Sequence, residues 1–266
     1  MNEAKTKLDL GDFEGAQKAA LEMVKAKPTD ITARIFLFEL SLFSGDWERA
    51  ERQLDVIGQQ DMNAMIGSQM FKENLEAERA RIKLFSEAKI PECLMQPPNY
   101  VEGLLAAIED ITKENFGSAK EIIDQVEEKR PAFVCKINGK ESGDFRDFND
   151  PTLCVFEAII KGSYSWIPFE QVEKVNFEPI KSLRDNFWRQ AEVTLVNGTQ
   201  GEMFLPAIYV ESFKSTEGAI RMGKATEWRD AGELYIGEGM RIYQIEDGHI
   251  PIIEIETIEF THESEN

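Results

Sequence analysis

Asp150-Pro151-Thr152-Leu153-Cys154-Val155-Phe156-Glu157-Ala158-Ile159-Ile160-Lys161-Gly162-Ser163-Tyr164-Ser165-Trp166-Ile167-Pro168 separates two kinds of sequence. Before it, apolar residues recur every three or four positions, the spacing of helices. After it, alternation and Gly-centred turns take over, as strands require. Within it, Leu153 to Ile160 is a near-continuous apolar run that reads as a buried strand. Gly162-Ser163 turns the chain, and Tyr164 and Trp166 then share one face of the returning strand. The stretch is the central hairpin of a C-terminal domain. Its aromatic face is either core or an exposed docking surface, and core is the reading preferred.

Working back from the hairpin, two stretches of the helical half repeat. Gly11-Asp12-Phe13-Glu14-Gly15-Ala16 returns as Gly45-Asp46-Trp47-Glu48-Arg49-Ala50, an offset of 34 residues. That is the period of tetratricopeptide repeats, antiparallel helix pairs stacked into a solenoid. In each copy Gly ends one helix, Asp caps the next, the aromatic residue wedges between them and Ala permits close approach. No third copy appears. A long helix is predicted from about Asp61 to Ala88, prolines at 91, 97 and 98 interrupt the chain, and two further helices follow, with Asn115-Phe116-Gly117 between them. Pro131 ends the second. The repeat register points Thr32, Ile35, Phe36, Glu39, Leu42 and Phe43 toward the concave side, a groove suited to an amphipathic helix. Against this stands the plainer reading that the following helix covers these residues as core.

Working forward, Phe133 to Ile137 reads as a strand and Asn138-Gly139 as its turn. Phe169 to Val175 has helical spacing, with Val172 and Val175 inward. Strands are predicted at Ala191–Leu195, Met203–Leu205, Ile220–Met222 and Met240–Ile245. A last strand spans Ile250–Phe260, with a phase slip near Thr257 resembling a bulge. Gly237-Glu238-Gly239 reads as a turn. The predicted architecture is therefore multidomain: tetratricopeptide-like helical repeats over residues 1–130, then an antiparallel, strand-rich α+β domain over 131–266.

Composition narrows the chemistry. Thirty basic and 49 acidic side chains leave a net charge of −19, which disfavours nucleic acid and anionic lipid as partners and favours a basic patch on a protein. The N-terminus lacks a signal-peptide apolar region, no run is long enough to span a bilayer, and three scattered cysteines make no disulfide framework. These features together predict a cytoplasmic protein. Only His249 and His262 are present, so neither a zinc site nor a Ser/Cys–His mechanism is expected, and no cofactor is implied. Trp166, Arg184, Asp185, Trp188, Trp228 and Arg241 supply the residue types enriched at interface anchors and form a candidate second interaction surface, with buried Trp and a structural Arg pair as the alternative.

The C-terminal half resembles the ImpE/SciE/TagJ-type accessory proteins of bacterial type VI secretion systems. The likeness rests on Asp150, Glu157, Gly162 to Pro168, Asp185 with Trp188, and Leu205-Pro206 with Tyr209. It extends through Gly223-Lys224-Ala225-Thr226-Glu227-Trp228 and Gly237-Glu238-Gly239-Met240-Arg241. Glu227 departs from the Asp that usually precedes this Trp. The repeat-like helices extend the resemblance over nearly the whole chain. It implies a cytoplasmic, non-enzymatic adaptor whose partners are the small subunit of the contractile sheath and the ATPase that disassembles contracted sheath. On that reading Ile35, Phe36, Glu39, Leu42 and Phe43 hold a helical segment of the sheath subunit. The rival from another class is a small-ligand-binding or hydrolytic enzyme recruited through its repeats. A deep pocket with convergent ionisable groups would favour the enzyme, and an apolar groove the adaptor.

Overall fold

The computed structural model describes residues 2–89 and 91–262. Among the described residues, the first half holds seven helices: α1 (Asn2–Asp9), α2 (Phe13–Ala26), α3 (Ile31–Phe43), α4 (Trp47–Gln60), α5 (Met65–Glu87), α6 (Val101–Thr112) and α7 (Phe116–Lys129). The repeated motif does the same work twice. Gly11 and Gly45 take positive φ, and the Asp12 and Asp46 carboxylates accept from the backbone N–H groups of Gly15 (2.8 Å) and Arg49 (3.0 Å). Phe13, Ala16, Trp47 and Ala50 are all buried. The turn between α6 and α7 falls at residues 113–115, so Phe116 and Gly117 already belong to α7.

Fourteen strands follow the same chain order. They are β1 (Glu92–Cys93), β2 (Cys135–Ile137), β3 (Lys140–Ser142), β4 (Phe145–Asp147), β5 (Val155–Ile160), β6 (Ser163–Pro168) and β7 (Val172–Phe177). The rest are β8 (Trp188–Leu195), β9 (Gln200–Pro206), β10 (Thr226–Trp228), β11 (Gly237–Gly239), β12 (Ile242–Ile245), β13 (Gly248–Pro251) and β14 (Thr257–Phe260). A short helix, α8 (Gly218–Arg221), precedes β10. Nine strands form one sheet in the order β1-β6-β5-β9-β8-β7-β14-β2-β3. Its neighbours are antiparallel except β1 and β6. Smaller sheets join β10 to β11 and β13-β12-β4.

The central hairpin is β5–β6, with Lys161 and Gly162 both at positive φ in a two-residue turn, one position earlier than the glycine alone suggests. Strand β5 is apolar almost throughout because both of its faces are covered. Phe156 packs among Phe145, Phe169, Tyr243 and Phe260 on one side, while Glu157 meets Arg81 of α5 on the other.

Four expectations are corrected here. Phe169–Val175 is not helical: a 3₁₀ turn at Phe169–Gln171 leads into β7, and a register shift between Val172 and Lys174 brings Val172 and Val175 inward three residues apart. That bulge is what mimics helical spacing. Ile220–Met222 is no strand, since Ile220 and Arg221 close the short α8. Ile250–Phe260 is not one strand either. In place of a bulge near Thr257, a 3₁₀ turn at Ile252–Glu254 breaks the run, where the chain leaves the three-stranded sheet as β13 and joins the nine-stranded sheet as β14 at Thr257. Gly237–Gly239, read as a turn, pairs with β10 as β11. A side chain at Gly237 would collide with the Tyr209 ring, its Cβ only 2.3 Å from a ring carbon.

The helical and strand-rich halves share one core. Trp47 meets Phe213 (5.5 Å) and Phe187 (6.2 Å) edge-on, Phe71 stacks on Trp188 at 6.4 Å, and β1 from the first half extends the sheet of the second. A full-length chain is therefore expected to unfold in a single urea transition, and fragments 1–130 and 131–266 expressed apart are expected to lack cooperative unfolding. Two resolved transitions would show that the halves stand alone.

Candidate functional site

Helix α3 carries the residues that the repeat register points into the concave face, and the structure divides them. Leu42 and Phe43 are wholly buried, and the Phe43 ring lies edge-on to Phe187 at 5.3 Å. They are core in this fold and offer no exposed anchor. The cause is the segment 178–187 between β7 and β8, which lies over this end of α3. Arg189 holds the start of that segment, donating from Nη2 to the Glu178 carbonyl at 3.1 Å. A 3₁₀ turn at Leu183–Asn186 shapes the rest, and the Asp185 carboxylate caps it by accepting from the backbone N–H groups of Lys181 (2.7 Å) and Ser182 (2.8 Å).

Toward the other end of α3 the surface opens. Ile35, Phe36 and Glu39 form one wall of a cleft of about 570 Å³, Lys5, Leu8 and Asp9 of α1 close one end, and Ile180 to Leu183 with Asn186 form the opposite wall. Ile180 is 41% exposed. Two sets of residues that looked unrelated in sequence meet here. Arg184 Nη1 donates to Glu39 Oε1 at 2.9 Å while its guanidinium lies 5.0 Å from the centre of the Phe71 ring. Glu39 is buried, which pushes its carboxyl above the ordinary range although Arg184 opposes the shift. Ile180 and Leu183 were invisible to sequence reasoning, because a loop has no periodicity to say which way a side chain faces.

Trp166, Trp188 and Arg241 correct the second candidate surface, since none of them is at the surface. They belong to a charged cluster between α5 and the sheet. Arg81 donates to both carboxylate oxygens of Glu157, from Nε at 2.8 Å and Nη2 at 3.1 Å, and from Nη1 to Glu78 at 2.8 Å. Arg241 bridges Glu157 and Asp147. Tyr164 donates to Glu157 (2.6 Å), Trp166 Nε1 to the Tyr164 hydroxyl (2.8 Å) and Trp188 Nε1 to Glu78 (3.1 Å). Burial works against the ionised Glu157, but the two guanidiniums outweigh it and hold the carboxyl at about 2. At Asp147 burial prevails over Arg241 and the shift is upward. The space beside Glu157 and Tyr209 is about 30 Å³, room for water and little else. Trp228, the remaining tryptophan of the set, is half-buried against Phe148 (4.9 Å) and Tyr235 (5.7 Å).

Among the described residues no group of three or more His, Cys, Asp or Glu side chains is placed to hold a metal ion, and no helix is long and apolar enough to cross a membrane.

The sequence model of the ImpE protein family matches residues 139–259, the strand-rich half. Over 254 residues, 95% of this chain and 89% of the relative, the sequence is 31% identical to the type VI secretion system accessory component TagJ of Pseudomonas aeruginosa. The chain belongs to the ImpE/TagJ family. A crystal structure of the Vibrio parahaemolyticus protein VPA1032 shares the fold, with a TM-score of 0.89, 23% identity and 98% of each chain covered. The span that matches the ImpE family contributes Glu157 and Arg184, whereas Arg81 and Glu39, which they bind, come from the helices before it.

Proposed function

We propose that this chain is a non-enzymatic accessory component of a type VI secretion system, working in the cytoplasm as an adaptor. It takes a helical segment of the small contractile-sheath subunit into the cleft between α3 and residues 180–186 and links that subunit to the ATPase that recycles contracted sheath. The observation that carries this reading is the cleft. Its walls include Ile35, Phe36, Leu183 and Ile180, which offer apolar surface to one helix face, and part of that lining is accessible before any partner arrives. The name of the Pseudomonas aeruginosa relative supports the secretion-system assignment. Leu42 and Phe43 are not among the anchors. The hydrolytic alternative finds less support, because the densest group of ionisable side chains surrounds a space of only about 30 Å³. Trp228, with Phe148 and Tyr235, offers surface for a second protein contact, apart from Arg184 and Asp185 beside the cleft.

Ile180→Asp and Ile35→Asp test the cleft. Each is expected to weaken binding of the purified small sheath subunit at least about tenfold, since a buried aliphatic side chain is worth roughly 1.5–3 kcal/mol. Ile180→Asp should leave the urea midpoint of the free chain unchanged. Undiminished binding by both variants would place the partner elsewhere.

A further inference from the structure

Of the carboxylates buried against arginines, Glu157 and Glu39 are treated differently. Glu157 is saturated, with Arg81 on both oxygens and further bonds from Arg241 and Tyr164. Glu39, 6% exposed, is bonded by one residue alone, Arg184, through its side chain at 2.9 Å and its backbone N–H. An ionised carboxylate has about four acceptor positions, and a guanidinium five donors. Arg184 is no better served, since its Nε is buried without an acceptor. A pair left this incomplete is a poor structural bridge.

The unmet acceptor capacity of Glu39 lies in the wall of the cleft, one helical turn from Ile35 and Phe36 and across from Ile180 and Leu183. Asp185 adds a second negative charge whose field reaches Glu39, against the single positive charge of Arg184. Lys5 and Lys181 stand at the rim, the latter 3.7 Å from Glu178. The apolar side chains of the lining thus surround one buried anionic point, Glu39, with polar groups around them.

Resting on the cleft as the partner site, we propose that Glu39 is its specificity determinant: the bound helix interrupts its apolar face with one Lys or Arg, whose cation completes the coordination of Glu39. Apolar neighbours exclude water around that contact, so a neutral or acidic residue in its place would leave Glu39 buried and underpaired, and such helices are rejected. Acidic residues at the ends of the same helix would meet Lys5 and Lys181.

The test uses the full-length chain and the purified small sheath subunit. Glu39→Gln, which keeps the shape and an acceptor for Arg184, is expected to weaken binding about ten- to a hundredfold with the urea midpoint little changed. One Lys or Arg→Gln change in the bound helix should weaken it by a similar factor, and the two changes together should cost no more than one. Glu39→Lys should lose binding and regain it when that same partner residue becomes Glu, a rescue that a merely structural role would not produce. If Ile180→Asp abolishes binding while Glu39→Gln binds as the wild type, or no basic residue of the partner couples to Glu39, the cation contact is overturned and the cleft stands. If Ile180→Asp binds normally, the cleft itself is wrong and this inference falls with it.

Discussion

Glu157→Gln is expected to lower the stability of the chain by about 3 kcal/mol or more at neutral pH. The substitution keeps the size of the side chain but removes the negative charge between Arg81 and Arg241, both buried. Breaking one member of a buried ionic group leaves its partners desolvated without full compensation. The pH dependence has a definite sign. Glu157 is held at about 2, below its ordinary 4.5, so its stabilisation is complete above about pH 4.5 and is lost as pH falls toward 2. Asp147, shifted upward from its ordinary 3.8 by burial, acts in the opposite sense at pH above 3.8. The gap between wild type and Glu157→Gln in urea midpoint should therefore be widest at neutral pH and close on acidification. Glu51→Gln is the comparison: its bridge to Arg79 is 3.2 Å long and partly exposed, and its loss should cost under about 1 kcal/mol. Equal effects from the two substitutions would mean that the cluster contributes little to holding α5 on the sheet.

Phe43→Ala is expected to cost about 3–5 kcal/mol, the range for deleting a fully buried aromatic ring. The ring is 0% exposed and packs edge-on against Phe187, which in turn touches Trp47 and Trp188, so the cavity would open in the middle of the contact between helices and sheet. The drop should appear in the free chain by urea denaturation, with no partner present. Should Phe43→Ala denature at the wild-type midpoint yet fail to bind the sheath subunit, the ring would be a partner anchor and its burial in the free chain transient. Phe36, one heptad earlier and at the edge of the cleft, separates the two roles: its loss removes less core and more of the wall facing the partner.

Phe36 and Phe43 also show how far the sequence reaches. Their spacing places them on one stripe of α3, and both are buried. Both Gly-Asp-aromatic motifs, the long α5, the β5–β6 hairpin and the change of character near Pro131 were legible for the same reason, since caps, turns and periodicity are satisfied by residues close together in the chain. The ImpE/TagJ family membership was legible too, in the short blocks from Asp150 to Arg241. What covers the stripe was not. Residues 178–187 reach it from more than 130 positions away, and no local pattern announces that Phe187 seals Phe43 while Ile180 leaves Ile35 open. The same distance hid the fate of Trp166, Trp188 and Arg241. Their residue types suit a surface hot spot or a buried network equally well, and the outcome turned on Glu78 arriving on another element to accept from Trp188, with Glu157 and Asp147 pairing Arg241 and Arg81 closing over Glu157. Local backbone preferences decided the elements. Only the tertiary structure, by bringing charges and rings from both halves into one desolvated layer, decided which faces were left for a partner.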